Sequence, residues 1–151
     1  MSTVIKARFR LNGNLAASRG LDRGGRVQQA IDAAVIRHCL PYCPWDTGTL
    51  AKSPYGASTP GKVVYNTPYA RLLYYGEIYG PNIPVFEDGS GEPTRFFSPP
   101  GQKKHPTGRK LDFSKSQAAN SPLAGAFWFE RMKADHGKDI LKEAVSVARG
   151  K

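Results

Sequence analysis

The sequence has few cysteines and no long apolar run. Its 151 residues include two cysteines, Cys39 and Cys43, and one pair provides no disulfide framework. No apolar run approaches the roughly 18 residues that a membrane-spanning helix needs. The N-terminus alternates charged with apolar residues, unlike the continuous apolar segment of a signal peptide. We therefore expect folding in a reducing compartment, no membrane span and no classical secretion.

The two cysteines and His38 lie close together in the sequence, which raises the question of a metal site. Pro41 prevents a continuous helix from placing Cys39 and Cys43 one turn apart, and no CxxC pair supplies further ligands. We predict no metal site. Cys39 is expected to be a small buried hydrophobe, and His38 to flank a helix end where its charge suits the dipole.

Catalytic sites also lack their sequence signals. None of the histidines, His38, His105 and His136, accompanies a GxSxG nucleophile motif. The carboxylates are few, and several in the C-terminal region stand beside a basic residue, as Glu143 does beside Lys142. Neither a Walker lysine loop nor GxGxxG is present to hold a phosphate. We predict a protein that is not an enzyme and takes no cofactor.

Positive charge, glycine and proline are abundant. The 151 residues suit one domain, and 16 Gly with 12 Pro indicate a fold rich in loops. The net charge is +10, and residues 1–26 hold six Lys or Arg against one Asp, which supplies +5 of that charge. Such a segment suits a polyanion or an acidic partner surface, because the field at a patch depends on local charge.

The periodicity of apolar residues predicts an α+β fold. Residues 3–11 alternate apolar and basic side chains, which predicts a strand whose basic face carries Lys6, Arg8 and Arg10. Val27, Ile31, Ala34 and Val35 then recur at helical spacing, so a helix is expected over residues 24–40. Pro41 ends it.

Further elements follow from short signals. The string GKVVYN predicts a second strand, and Pro68 opens a helical turn in PYARLLYYGE. Ser121 before a proline predicts a helix over 122–135, ended by Gly137, and a last helix in DILKEAVSVAR with Ile140, Leu141, Ala144, Val145 and Ala148 inward. The single domain, residues 1–151, thus ends in C-terminal helices.

A long segment rich in proline and glycine separates these elements. Residues 80–108 contain five Gly and six Pro, so we expect irregular structure there, with a strand at RFFS. Structureless loops of this length are uncommon in compact domains unless they bind something. Residues 80–120 are therefore predicted to be an extended loop or arm.

Residues 44–50, PWDTGTL, form the most specific string of the sequence. Asp46 can accept a backbone hydrogen bond two residues on, Gly48 can adopt a positive φ, and the two threonines can bond locally. We predict a rigid Asx-type turn that delivers Leu50 to the core.

Nucleic-acid binding agrees with the charge, and tyrosines at 55, 65, 69, 74, 75 and 79 offer rings that stack on bases. Because these tyrosines flank Val63, Val64, Leu72 and Leu73, core or interface roles are favoured over a stacking platform. The exposed side of the helix over 24–40 is nearly neutral, which is unlike a recognition helix.

Three strings follow one another along the chain: PWDTGTL, KVVYNTPYARLLYYGE and FWFERMKADHGKDIL, within residues 23–80 and 121–145. In this order they resemble the minor capsid proteins encoded in the head and tail module of long-tailed phages of Gram-positive bacteria. These are similar to the wider group of tail-completion (neck, head-tail joining) proteins. The matching positions are Pro44, Asp46, Thr47, Gly48, Leu50, Pro68, Tyr69, Ala70, Trp128, Phe129, Glu130, Arg131 and Met132. None is catalytic in the family, which is structural.

The resemblance implies an α+β protomer with a long helix packed on a small antiparallel sheet. It also implies a hexameric ring in the virion neck, which surrounds the DNA exit channel and forms in the host cytoplasm during assembly. The implied partners are other copies, a head-closure or stopper protein and a tail terminator, with non-specific contact to genomic DNA and none to a membrane. The insert over 80–120 and the basic N-terminal strand depart from the family pattern.

Two alternatives stay open at the level of sequence. One is a non-enzymatic DNA-binding module, and the other is a tail terminator of the same virion. The candidates for contact with a partner or with DNA are Lys6, Arg8, Arg10, Tyr74, Tyr75 and Tyr79.

Overall fold

The computed structural model describes residues 3–6, by backbone alone, and residues 20–87, 89 and 91–150. Over these residues the fold is α+β, with helices and small antiparallel sheets. The helices are α1 (Arg26–Cys39), α2 (Thr49–Lys52), α3 (Pro54–Ala57), α4 (Ala70–Tyr75) and α5 (Trp128–Ala148), with a 3₁₀ turn at Ser114–Ser116. The strands are β1 (Thr3–Lys6), β2 (Lys62–Tyr65), β3 (Glu77–Gly80), β4 (Ile83–Val85), β5 (Arg95–Phe97) and β6 (His105–Lys110).

The core lies between α1, α5 and β2. The predicted apolar stripe of α1 is buried, and this helix packs along α5 and against β2. Strand β1 pairs antiparallel with β2, from Thr3 opposite Tyr65 to Lys6 opposite Lys62. The helix over 24–40 and the strand in GKVVYN are confirmed. Of the strand predicted over 3–11, the part after Lys6 lies outside the described residues.

The helix predicted over 122–135 is wrong in its start. Ser121 is buried, and its hydroxyl donates to the Leu40 carbonyl at 2.8 Å. The next N–H groups also bond to distant backbone: Leu123 N–H donates to Pro41, and Phe127 N–H donates to Tyr74. Apart from a local turn in which Ala124 N–H donates to the Ser121 carbonyl, the strap of residues 121–127 bonds to the end of α1 and to Tyr74 and does not form a helix.

The break predicted at Gly137 is also wrong. Helix α5 runs without interruption from Trp128 to Ala148. A glycine in a helix interior costs about 1 kcal/mol relative to alanine, which is less than the packing of α5 on α1 supplies. Tertiary contacts thus override a local signal.

The segment rich in proline and glycine is more regular than predicted. Strands β3 and β6 pair antiparallel, and β4 and β5 pair antiparallel between them, so residues 77–110 form one nested hairpin, the ribbon. Strand β5 confirms the strand expected at RFFS, whereas β4 and β6 were not predicted. The pairing of β3 with β6 is irregular between Glu77 and Tyr79, and Gly108, with φ of +76°, lies in the irregular stretch.

After the ribbon the chain returns to the body. Leu111 N–H donates to the Gly76 carbonyl, and the Ser116 carbonyl accepts from Trp45 N–H at 3.1 Å. Asp112 accepts from the Ser114 N–H and hydroxyl, which lowers the pKa of its carboxyl group. Residues 111 and 116 are therefore tied to the body, and the extended arm over 80–120 stays a prediction.

Candidate assembly surfaces

The PWDTGTL string forms a tight turn at the start of α2. Gly48 has φ of +82°, and a Cβ there would lie 2.7 Å from the Trp45 ring. Lys52 N–H donates to the Gly48 carbonyl at 3.0 Å, and Leu50 is buried in the core. The predicted positive φ and the burial of Leu50 are both confirmed. Pro44, which opens the string, is buried as well.

The polar side chains of this turn face solvent. Asp46, Thr47 and Thr49 are exposed, and the two threonine hydroxyls hydrogen-bond each other at 2.7 Å. Across residues 20–87, 89 and 91–150, no donor to the Asp46 carboxylate is found, so the predicted Asx-type bond is absent there. The backbone and the Trp45 ring hold the turn instead.

The turn forms one wall of a cleft of about 340 Å³. Tyr69 and Leu73, and Ser116 of the returning segment, also line it. The lining contains one carboxylate, Asp46, and neither histidine nor cysteine. Such a cleft suits the binding of a side chain, because it offers apolar walls and no acid-base pair.

The second and third strings meet in an aromatic cluster. The Tyr74 ring lies edge-on to Trp128 at 4.8 Å and to Phe127 at 5.5 Å, and Tyr65 lies 5.4 Å from Trp128. Trp128 is fully buried. Edge-to-face packing of this kind adds to the energy of burial. Trp128 is therefore a core residue.

The tyrosines predicted as partner contacts separate into two groups. Tyr74 is 9% exposed, so the structure corrects its placement from contact surface to core. Tyr75 is 43% exposed, and its ring lies edge-on to Tyr74 at 5.6 Å and to Phe127 at 5.9 Å. Tyr79, on β3, is partly buried. Pro68 and Tyr69, which precede α4, are exposed.

Arg131 ties the strap of residues 121–127 to α5. Its Nε donates to the Ala126 carbonyl at 3.0 Å, and Nη2 donates to the Leu123 carbonyl at 2.8 Å. The guanidinium also lies 5.5 Å from the centre of the Tyr42 ring. The neighbouring Phe129 packs against the core. Arg131 thus has a structural role, which the sequence alone did not indicate.

Of the three basic candidates in the N-terminal strand, Lys6 is the one that lies within the described residues, and it is described by its backbone alone. Lys6 is the last residue of β1, where its backbone pairs with Lys62. Arg8 and Arg10 lie outside the described residues. The role of these three residues therefore stays a prediction.

The cysteine and histidine side chains near the end of α1 are packed, not arranged around a metal. Burial raises the pKa of both thiols, that of Cys39 to about 12, so both are protonated at neutral pH. His38 stacks on His136 of α5 with ring centroids 4.7 Å apart. Over the described part of the chain, no cluster of three or more His, Cys, Asp or Glu fits a metal ion.

Tyr42 joins α1's end to α5 by a short hydrogen bond. Its hydroxyl donates to the Asp135 carboxylate at 2.6 Å. That bond, together with burial, raises the pKa of Tyr42 to about 12. The tyrosine therefore remains a donor throughout the neutral range.

A first exposed apolar surface lies on the distal hairpin, residues 83–97. Ile83 stands opposite Phe97, and Pro84 stands opposite Phe96, so the two pairs lie on opposite faces. Phe96 is 63% exposed, and Phe97 is 47% exposed. Both faces of the hairpin thus present apolar side chains to solvent. Sequence reasoning missed this surface, although the apolar strings IPVF and FF on either side of a turn-rich stretch are typical of a hairpin.

A second exposed apolar surface is the α5 stripe, which consists of Leu141, Lys142, Val145 and Arg149. The four residues line one shallow groove on the outer side of the helix. Leu141 is 50% exposed and Val145 is 39% exposed, which corrects the prediction that both face inward. Ala144, in contrast, is buried as predicted.

No family model, curated protein or solved structure matches this chain. None of the helices in the described ranges is both long and apolar enough to cross a bilayer.

Proposed function

We propose that this chain is a structural virion protein of the phage head-tail connector. In this proposal its copies form a ring in the neck, which joins the DNA-filled capsid to the tail and surrounds the DNA exit channel. The role needs neither a catalytic residue nor a cofactor. It requires a rigid protomer and surfaces that recognise neighbours.

The observation that carries the proposal is the convergence of the three strings behind the resemblance. The turn of PWDTGTL and the Tyr69 and Leu73 side chains of the second string line one cleft. Tyr74 of the second string packs on Trp128 of the third. Strings far apart in sequence thus form one body, which supports treating them as one motif set.

Two further features support a ring. A closed ring needs two unlike surfaces on each copy, since one copy's front must meet the next copy's back. The distal hairpin and the α5 stripe are two exposed apolar surfaces on separate elements. Exposed apolar patches of this kind are typical of interaction sites.

The positive charge has a place in the same proposal. Lys6, Arg8 and Arg10 either dock on an acidic neighbouring ring or face the DNA channel. We favour docking, because phosphate contacts made by a few dispersed side chains are weak at physiological salt.

The deciding experiment uses a phage that carries this gene. A stop codon in the gene is expected to yield filled heads and separate tails, and the purified chain is expected to restore joining. Tails of uncontrolled length would instead identify a tail terminator. A monomer that retards duplex DNA in a salt-dependent manner, with normal particles from the stop mutant, would identify the DNA-binding alternative and overturn the neck role.

A further inference from the structure

The distal hairpin lacks a core of its own. Its apolar residues lie on both faces of two short strands, and every residue of β5 is exposed. Phe86, at the start of the connecting loop, is 55% exposed. An isolated two-stranded hairpin is marginally stable in water, and exposed apolar side chains are typical of interaction sites. We therefore expect these side chains to be buried against another surface.

The loop of this hairpin is acidic. Residues 86–94, which join the two strands, contain Glu87, Asp88 and Glu92 and no Lys or Arg. Glu87 is paired with Arg95 across the hairpin at 2.9 Å. The hairpin end therefore combines apolar side chains with an excess of negative charge.

The α5 stripe has the opposite character. Leu141 and Val145 are flanked by Lys142 and Arg149, and Lys138 lies one turn before Lys142 on the same side. Lys142 is 80% exposed and is held only loosely by Asp139, at 3.7 Å. The nearby Glu143 is paired with Arg37 of α1 and does not offset these cations fully.

From this complementarity we propose that the distal hairpin of one copy docks on the α5 stripe of the next copy. The apolar side chains of the hairpin then cover Leu141 and Val145, and the acidic loop meets Lys142 and Arg149. If the hairpins of two copies met, their two acidic loops would repel each other. If the α5 stripes of two copies met, their basic side chains would repel each other. Charge thus selects the unlike pairing, which propagates head to tail.

The contact is between copies and not within one chain. Both surfaces are exposed together in a single protomer, so neither covers the other. This inference rests on the proposed function, in which the chain assembles with itself, and it names the two surfaces involved.

Charge reversal tests the pairing directly. Asp88→Lys with Glu92→Lys reverses the loop and leaves the Glu87–Arg95 pair unchanged, and Lys142→Glu with Arg149→Glu reverses the stripe. Each double variant alone is expected to weaken self-association at least about tenfold in light scattering or sedimentation. Tyr55→Ser, which alters an exposed aromatic residue of α3, is the control and assembles like the wild type.

Mixing the two double variants provides the decisive step. A reversed loop then meets a reversed stripe, while the unaltered loop of one variant meets the unaltered stripe of the other. An equimolar mixture is therefore expected to recover assembly, as is the quadruple variant on one chain. Recovery also shows that each double variant was folded, since a misfolded chain would not assemble.

The failures are distinguishable. A wild-type chain that stays monomeric at its highest soluble concentration contradicts self-assembly and also overturns the proposed ring. A wild type that assembles while both double variants assemble equally well overturns the hairpin and stripe contact and leaves the ring standing. The hairpin and stripe contact is also overturned if the two double variants do not assemble alone and do not assemble when mixed. It is overturned as well if the stripe variant loses binding to duplex DNA and still assembles like the wild type.

Discussion

The Trp45 ring lies directly over Gly48, so close that a Cβ at Gly48 would lie 2.7 Å from the ring. The glycine also has φ of +82°, so a side chain there is strained twice. Gly48→Ala is expected to lower the free energy of unfolding by about 1 to 3 kcal/mol, measured by urea titration.

Gly56→Ala is the matched control for this change. Gly56 lies in α3, and a Cβ there meets no atom within 4 Å. We expect unchanged stability or a gain of up to about 1 kcal/mol. Equal losses in both variants would show that Gly48 has no special backbone role.

Arg131→Lys is expected to loosen the strap over α1. Lysine has no planar fork with which to reach both the Ala126 and Leu123 carbonyls, so one of these carbonyls loses its partner. The expected cost is about 1 to 3 kcal/mol of unfolding free energy. Hydrogen exchange at Leu123 and Phe127 should quicken as well. Exchange as slow as in the wild type would contradict the assignment.

Tyr42→Phe removes the hydrogen bond to Asp135 and leaves the ring. We expect a loss of about 1 kcal/mol at neutral pH, whereas the exposed Tyr55→Phe leaves stability unchanged. The folded pKa of about 12 exceeds the ordinary value of 10.0, so the contribution of Tyr42 is full below pH 10 and is lost as the pH rises above it. The ionisation of Tyr42 can be followed by the absorbance of its phenol group during an alkaline titration.

Acid is expected to weaken the contact between α1 and α5. Burial, with His136 and Arg37 adding to it, lowers the pKa of His38 below 6.5. The unfolded chain therefore binds a proton before the folded chain does, and stability falls as the pH drops below about 6.5. Thermal midpoints from pH 8 to 5 should show this slope, and His38→Gln should reduce it. His105→Gln, on the exposed β6, is expected to keep the wild-type slope.

Removal of the distal hairpin should leave the body folded. Asn82 and Ser98 are in contact, so a Gly-Gly link in place of residues 83–97 closes the ribbon without strain. We expect the unfolding free energy to change by no more than about 0.5 kcal/mol. A deletion that runs on to Ala118 also removes the Ser116 contact with Trp45 and should destabilise the body. Equal stability of both deletions would contradict a packed returning segment.

The sequence predicted the elements whose signal is local and strong. The stripe of α1 and the turn at Gly48 follow from spacing and from the freedom of glycine, and both are found. The strap over 121–127 could not be predicted in this way, because its backbone donates hydrogen bonds to Pro41, Tyr42 and Tyr74. A serine followed by proline is a common helix start, yet Ser121 uses its hydroxyl on Leu40.

The candidate surfaces were harder to predict than the fold. Leu141 and Val145 recur at the spacing of a buried stripe, but α1 covers only one side of α5. Periodicity shows that a face is apolar and does not show whether its partner is in the same chain. The convergence of the three strings was not predicted, because they lie far apart in the sequence and their contacts, such as that of Tyr74 with Trp128, depend on the fold.

The strap and the aromatic cluster also bear on synthesis of the chain. Tyr65 and Tyr74 need Trp128 to cover them, and α1 needs α5, so contacts that close the core join residues many positions apart. On a growing chain the faces of α1 and β2 stay uncovered while the whole ribbon is made. Such long-range closure slows folding and leaves apolar surface open to aggregation. Chaperone demand during translation is therefore expected to peak between the emergence of β2 and that of α5.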